Sequence, residues 1–218
     1  MNERYADRRA AGRALAAQLQ AYRDRPDALV LALPRGGVPV AAEVAEALHL
    51  PLDVLVVRKL GLPGQPEFAM GAIASGGVTI LDEDLIARLR VPPEAVAAVQ
   101  QAEAAELARR ERAYRGDRPY PDLHGRTVIL VDDGLATGAS MKAAVQAVRK
   151  LGATHIVVAA PVGPPDTVAE LAALADDVVV PLQPAFFSAV GRWYDDFRQT
   201  TDDEVQAILA RFAPPAAE

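Results

Sequence analysis

One stretch of the chain, residues 128–140, constrains the fold more than any other. Four apolar residues at 128–131 are followed by two carboxylates, Asp132 and Asp133, and then by a turn of small residues. The apolar run predicts a buried parallel strand, and residues 139–151 place apolar side chains on one face of a helix. The acids and the turn are therefore expected at the carboxyl end of a strand, where open α/β sheets bind ligands.

The turn combines the chemistry of a phosphate site with that of a hydroxyl site. Gly138 lets the backbone approach a ligand, and Thr137 and Ser140 offer hydroxyl groups. Successive N–H groups at a helix N-terminus form a cradle for phosphate. Two carboxylates do not suit a ligand that is only a phosphate, whereas they accept hydrogen bonds from the diol of a ribose. The segment therefore predicts a ligand that carries both groups.

This pattern resembles the phosphoribosyl-pyrophosphate (PRPP) signature of the type I phosphoribosyltransferases. The order is an apolar strand, two acids, three variable residues, Thr-Gly and a small hydroxyl residue, in the Asp-Asp-x-x-Ala-Thr-Gly form of the adenine-type members. The resemblance implies that Asp132 and Asp133 bind the ribose hydroxyls. It assigns the 5′-phosphate to five turn residues, Ala136, Thr137, Gly138, Ala139 and Ser140. The alternative is a strand–turn–helix that ends in Asp and Gly without any ligand.

A second anion-binding turn follows the first predicted strand, residues 28–33. Arg35, Gly36 and Gly37 stand between this strand and a helix predicted at 38–48. In the family a similar loop holds the pyrophosphate, often through a cis peptide, so the resemblance carries this role over to all three residues. The alternative is a common Pro-Arg-Gly-Gly turn.

A Gly- and Pro-rich segment after the second predicted strand, residues 52–57, resembles the catalytic loop of the adenine-type members. In that loop Arg-Lys precedes Leu-Pro-Gly and an acidic residue follows, so Arg58, Lys59 and Glu67 are carried over as catalytic residues. The two cations would face the pyrophosphate, and residues 58–81 are expected to form a flexible lid hairpin. The alternative is a solvated turn with incidental charges.

Aromatic side chains are concentrated near the C-terminus, at residues 184–197. In the family a variable hood holds the nucleobase, commonly on an aromatic ring, and the resemblance points to Phe187, Trp193 and Tyr194 for this role. The alternative is packing in the core or at a dimer contact, because isolated aromatic clusters are more often buried.

Strands alternate with helices along most of the chain. This alternation predicts an α/β fold with a doubly wound, mostly parallel sheet flanked by helices. We expect a single domain over residues 1–218, with its core at about 28–182. This domain also includes a helical insertion at about 82–118. A hood is expected at about 183–200, and the N-terminal helix forms part of it. Residues 214–218 are expected to be a frayed end.

Composition excludes several classes of function. The chain of 218 residues has a net charge of −6, which argues against a nucleic-acid partner because phosphate contacts need clustered Lys and Arg. It contains no cysteine, so disulfides, thiolate nucleophiles and cysteine-based metal sites are excluded. No apolar run approaches the roughly 18–20 residues of a membrane span. We therefore expect a soluble cytoplasmic protein without a membrane partner.

Taken together, the resemblances imply transfer of ribosyl-5-phosphate from PRPP to a nitrogenous base or related nitrogen nucleophile, with release of pyrophosphate. They imply Mg²⁺ as cofactor, bound mainly through PRPP with Asp132 and Asp133 as candidate ligands, and a homodimer. The 6-oxopurine enzymes carry an Asp where this chain has Ala136, which argues against hypoxanthine and guanine and leaves the acceptor open. The alternative function is a non-catalytic protein that senses PRPP or a nucleotide.

Overall fold

Helices and strands alternate in the computed structural model, which describes residues 4–213. The strands are β1 (Ala28–Ala32), β2 (Leu52–Val54), β3 (Val57–Leu62), β4 (Gln65–Ala74), β5 (Val78–Leu81), β6 (Thr127–Val131), β7 (His155–Ala159) and β8 (Asp177–Val179). The helices are α1 (Arg8–Gln18), α2 (Gly37–Leu48), α3 (Glu83–Leu89), α4 (Pro93–Arg115), α5 (Ala139–Lys150), α6 (Pro165–Ala172) and α7 (Asp202–Arg211). The predicted α/β class is confirmed.

Five strands form a parallel sheet in the order β2-β1-β6-β7-β8. After β1 the chain moves outward to β2, whereas after β6 it moves in the other direction to β7 and β8. The direction of winding therefore changes between β1 and β6. The carboxyl ends of these two strands flank the crevice at which doubly wound sheets bind ligands.

Apolar layers cover both faces of this sheet. Val30 and Ile129 point into one layer with side chains of α1, α2 and α7. Leu31 and Leu130, one residue further along each strand, point into the other layer beneath α5. Successive side chains of a strand point to opposite faces, so a strand that is covered on both sides needs an unbroken apolar sequence. This requirement explains the apolar runs of β1 and β6.

The segment predicted as a lid forms a second, antiparallel sheet in the order β3-β4-β5. The hairpin of β4 and β5 runs in register from Gly71 opposite Leu81 to Ala74 opposite Val78. The single strand predicted at 52–57 is divided between the two sheets, because β2 ends at Val54 and β3 begins at Val57. Movement of this second sheet as a lid stays a prediction.

Two further parts pack around the core, the helical insertion and the N-terminal segment. The insertion consists of α3 and the long helix α4, which packs on β3 and α7. The N-terminal segment lies along the hood, where the N–H of Tyr5 donates to the carbonyl of Trp193 (2.9 Å) and the N–H of Asp195 donates to that of Tyr5 (2.8 Å). The predicted frayed end at 214–218 lies outside the described residues. Across residues 4–213 the helices are all too short or too polar to cross a membrane.

Candidate active site

The turn between β6 and α5 forms a small cavity of about 140 Å³, lined by Asp132 and by residues 134–141. Gly138 adopts a left-handed conformation (φ 72°) at the start of α5, and a Cβ atom there would lie 2.6 Å from the methyl group of Thr167. The Thr167 hydroxyl in turn donates to the carbonyl of Ala136 at 2.9 Å. Helix α6 therefore fixes the shape of the turn.

The backbone of this turn is available to an anion. Within residues 4–213, the N–H groups of Ala136, Thr137 and Gly138 form no hydrogen bond to another backbone group. Helix α5 begins directly after them, so its unpaired N–H groups and its dipole face the same cavity. This arrangement can bind a phosphate group through the backbone alone.

The two signature acids have different surroundings, and Asp132 is the one that lines this cavity. The N–H of Asp133 donates to Oδ1 of Asp132 at 2.8 Å. The pKa of Asp132 is raised well above its ordinary range, first because its carboxyl group is buried and then because of the charge of Asp133. Asp133 instead forms an ion pair with Arg8, whose Nη2 lies 2.8 Å from Oδ2. Sequence reasoning missed Arg8, because nothing local connects residues that are 125 positions apart.

The Arg-Gly-Gly turn lies against the acids. The peptide bond between Pro34 and Arg35 is cis. A Cβ atom on Gly36 would clash with the carboxylate of Asp133, and one on Gly37 would lie 2.7 Å from the carbonyl oxygen of Val131. Only glycine permits this approach, so the structure brings together the two turns that the sequence predicts as anion sites.

Arg35 itself is half-exposed and lies beside helix α7. Its Nη1 is 3.6 Å from Oδ1 of Asp202, at the first residue of that helix. One nitrogen of the guanidinium therefore faces a carboxylate at ion-pair distance.

The two cations of the predicted lid point to opposite sides of β3. Lys59 lines a cavity of about 600 Å³ between the second sheet and α5, together with Glu67 and Ser140. Arg58 faces the other way and binds Glu103 of α4, with Nε 2.7 Å from Oε2. Side chains alternate along a strand, so adjacent residues of β3 cannot face one ligand. This placement favours an anchoring role for Arg58.

Lys142 also lines the larger cavity and pairs with Glu170 of α6. It lies in the first turn of α5, directly after the phosphate-type turn. The sequence signal for Lys142 is its position one helical turn after Gly138, which the signature motif itself does not include.

The predicted aromatic residues of the hood are not equivalent in the structure. Tyr194 is 1% exposed, and its hydroxyl donates to the carbonyl of Asp133 at 2.5 Å. A ring buried in this way has no free face for a base, so the placement of Tyr194 does not suit the stacking role that we expected. Phe187 and Trp193 are half-buried in the same cluster, and Nε1 of Trp193 has no hydrogen-bond partner among the described residues.

A further aromatic ring, which sequence reasoning did not select, is free. Phe186 is 95% exposed and lies in the same loop as Val190, whose methyl groups pack against Gly134 of the signature turn. Outside regular helices and strands no periodicity tells which of two adjacent Phe residues faces solvent.

Comparisons with known proteins agree with this geometry. The model of the phosphoribosyl transferase domain family matches residues 2–192. A protein of Mycobacterium tuberculosis (strain ATCC 25618 / H37Rv) named "Putative phosphoribosyl transferase" is 50% identical over 205 residues, which are 94% of this chain and 46% of that protein. The chain thus spans about half the length of the curated relatives it matches.

Solved structures show the same fold. The crystal structure of the TT1426 protein from Thermus thermophilus has a TM-score of 0.85 and 44% identity, and the match covers 97% of this chain and 100% of that one. The AQ2163 protein from Aquifex aeolicus has a TM-score of 0.50 and 10% identity, with 84% of this chain and 78% of that chain covered, which is a likeness of fold alone.

Proposed function

Because the chain belongs to the phosphoribosyl transferase domain family, we propose that it transfers ribosyl-5-phosphate from PRPP to a nitrogenous base or related nitrogen nucleophile and releases pyrophosphate. Family membership confirms the resemblance found at residues 128–140 and supports a pentosyltransferase. The observation that carries the proposal is the contact between the two predicted anion turns. Gly36 lies against Asp133 so closely that a single methyl group would not fit.

Each part of the donor has a matching part of the site. The backbone cradle at residues 136–140 suits the 5′-phosphate, and Asp132 and Asp133 at its edge suit the ribose hydroxyls. The turn of Arg35 and Gly36 lies on the other side of these acids, which suits the pyrophosphate. One extended ligand therefore spans the carboxyl ends of β6 and β1.

The reaction breaks the bond between the anomeric carbon and a pyrophosphate oxygen and forms a bond from that carbon to the acceptor nitrogen, which loses its proton. Positive charge develops on the ribose, as in glycosidic cleavage generally. The proposed work of the protein is to hold the ribose in place and to stabilise the charge on the leaving pyrophosphate. Arg35 adds positive charge at the leaving group.

Lys59 and Glu67 lie across the larger cavity from Ser140, which supports a lid role for the second sheet. Closure toward α5 would bring the Lys59 ammonium toward the donor and exclude water, which otherwise hydrolyses it. We keep both residues as proposed catalytic residues.

Mg²⁺ fits the donor set of this site. Among residues 4–213 no group of three or more His, Cys, Asp or Glu side chains is arranged to hold a metal. Mg²⁺ commonly uses one or two carboxylates together with the phosphates of a substrate, and adjacent Asp132 and Asp133 meet that need. They would therefore hold Mg²⁺ that is bound mainly by PRPP, where the ion would neutralise charge on the pyrophosphate.

The acceptor base is proposed to lie under the hood. Phe186 offers a free ring, and the half-buried Phe187 and Trp193 lie near it in sequence. Ala136 cannot exchange a proton with a base, so the acceptor is not expected to need an acid at that position. These observations do not name the base.

The test is a pyrophosphate-release assay with PRPP, Mg²⁺ and a panel of nucleobases. Release with at least one base is expected, and it should disappear when Asp132→Asn and Asp133→Asn are combined. The matched control combines Asp117→Asn with Asp122→Asn, two exposed acids after α4, and should leave release unchanged. Tight PRPP binding without release for any base would favour the non-catalytic sensor, and absence of PRPP binding would contradict the proposal.

A homodimer, a cytoplasmic location and the lack of a nucleic-acid partner also stay predictions. Sedimentation equilibrium measures the first. Fractionation of cells that express the full-length protein measures the second.

A further inference from the structure

Asp133 is held by residues from both ends of the chain. Arg8 of α1 binds its carboxylate, Tyr194 of the hood binds its carbonyl oxygen, and the ring of Phe197 lies under the guanidinium of Arg8. We call Arg8, Tyr194 and Phe197 the Asp133 bracket. None of the three belongs to the signature turn or to the Arg-Gly-Gly turn.

The geometry of the bracket is specific. Nε of Arg8 donates to Oδ2 of Asp133 at 2.9 Å, and Nη2 lies at ion-pair distance, 2.8 Å, from the same oxygen. The third guanidinium nitrogen donates to the carbonyl of Arg198 at 2.7 Å, and the Phe197 ring centroid lies 4.0 Å from the guanidinium carbon. The Arg8 and Asp133 side chains are only 12% and 14% exposed. An arginine held on three sides keeps its orientation, so it also fixes that of the carboxylate.

We propose that Arg8 is a positioning residue, which orients the Asp133 carboxylate so that it accepts a hydrogen bond from a ribose hydroxyl of the donor. This inference rests on the proposed function, because it assigns a role at the same ribose site. The N-terminal segment becomes part of the donor site through this contact, although it lies outside the sheet.

Two further observations favour positioning over competition with the ligand. The hydrogen bond from Nε and the ion-pair contact of Nη2 both involve Oδ2, so neither occupies the other oxygen of Asp133. A Cβ atom on Gly36 would lie 3.3 Å from Nε of Arg8, so the guanidinium also lies beside the pyrophosphate turn. Arg8 thus lies close to both turns.

Isothermal titration calorimetry of three ligands tests the inference. Arg8→Ala should weaken binding of PRPP and of ribose 5-phosphate by about 10- to 100-fold, the range found when groups that orient metal ligands are removed. In titrations without Mg²⁺, binding of pyrophosphate alone should weaken less than binding of ribose 5-phosphate, because pyrophosphate has no ribose hydroxyl for Asp133 to bind. Arg8→Lys should restore part of the affinity, and Arg9→Ala, at the next, exposed residue of α1, should bind all three ligands like the wild type.

Each outcome decides the question. Wild-type affinity or tighter binding in Arg8→Ala would overturn the inference alone, and tighter binding would show that Arg8 competes with the ligand. Equal weakening for all three ligands would indicate general damage and would also overturn it. If Arg8→Ala does not fold, Phe197→Leu keeps both charges and should still weaken ribose 5-phosphate more than pyrophosphate, and equal effects would count against the inference. Failure of the wild type to bind PRPP would instead overturn the proposed function and the inference together.

Discussion

Replacing Asp53 with Ala should show how strongly one buried ion pair holds the helical insertion on the sheet. Asp53 of β2 accepts two hydrogen bonds from Arg115 at the end of α4, from Nε at 2.7 Å and from Nη2 at 3.0 Å. The Arg115 and Asp53 side chains are only 5% and 14% exposed. The guanidinium also donates to the carbonyl oxygens of Arg118 and Pro119, at 3.2 and 2.9 Å.

The cost follows from what remains after the change. Without the carboxylate, the buried guanidinium of Arg115 keeps two neutral acceptors but loses its counter-charge. Removing one partner of a buried pair typically costs about 3–5 kcal/mol. For a domain of this size each kcal/mol lowers the melting temperature by about 2–4 °C. The expected fall is therefore about 6–20 °C.

Thermal unfolding followed by circular dichroism measures this fall, and the same helix supplies a matched control. Asp117 pairs with Arg112 at 3.5 Å, but these side chains are 94% and 79% exposed, so Asp117→Ala should change stability by no more than about 0.5 kcal/mol. Combining Asp53→Leu with Arg115→Met should be less damaging than Asp53→Ala, because no buried charge is left. Equal melting temperatures for Asp53→Ala and Asp117→Ala would refute the reasoning.

Three other predictions concern the site and the opposite end of the sheet. Gly36→Ala should abolish stabilisation by PRPP in thermal-shift measurements while the protein stays folded, because the new methyl group displaces a signature carboxylate; retained stabilisation would contradict this. Lys59→Met should lower turnover, whereas Arg58→Met should mainly lower the melting temperature; the reverse result would show that Arg58 faces the donor. Burial, and then a hydrogen bond to Asp177, raise the pKa of Tyr22 from 10.0 to about 12. The neutral phenol therefore contributes stability that is complete below about pH 10 and is lost as the pH rises through about 12. In urea unfolding at alkaline pH, the free energy of unfolding of the wild type should fall more steeply with pH than that of Tyr22→Phe.

The local elements of the fold could be predicted because each depends on neighbouring residues. The apolar run before Asp132 predicts a strand that ends at Val131, and the apolar face after Gly138 predicts the helix that begins there. Both signals depend on the period of side chains along a strand or a helix, which the sequence displays directly. The parallel sheet follows from the alternation of such elements.

The roles of the lid and hood residues are harder to predict from sequence, because they depend on which side of an element faces the ligand. Arg58 and Lys59 are adjacent cations in the sequence, but the pleat of β3 turns them to different neighbours. Tyr194 and Phe186 belong to the same aromatic segment, but the first is buried and the second is exposed. A motif names residue types, whereas the packing of an irregular segment decides their exposure.

The sequence by itself determined the signature strand, the phosphate-type turn and the pair of acids, since these are set within about a dozen consecutive residues. Only the tertiary structure decided what surrounds the acids. The contact of Gly36 with Asp133 and the ion pair from Arg8 join residues about 100 positions or more apart. Such contacts exist only after the chain has closed those loops, and no local period or spacing encodes them.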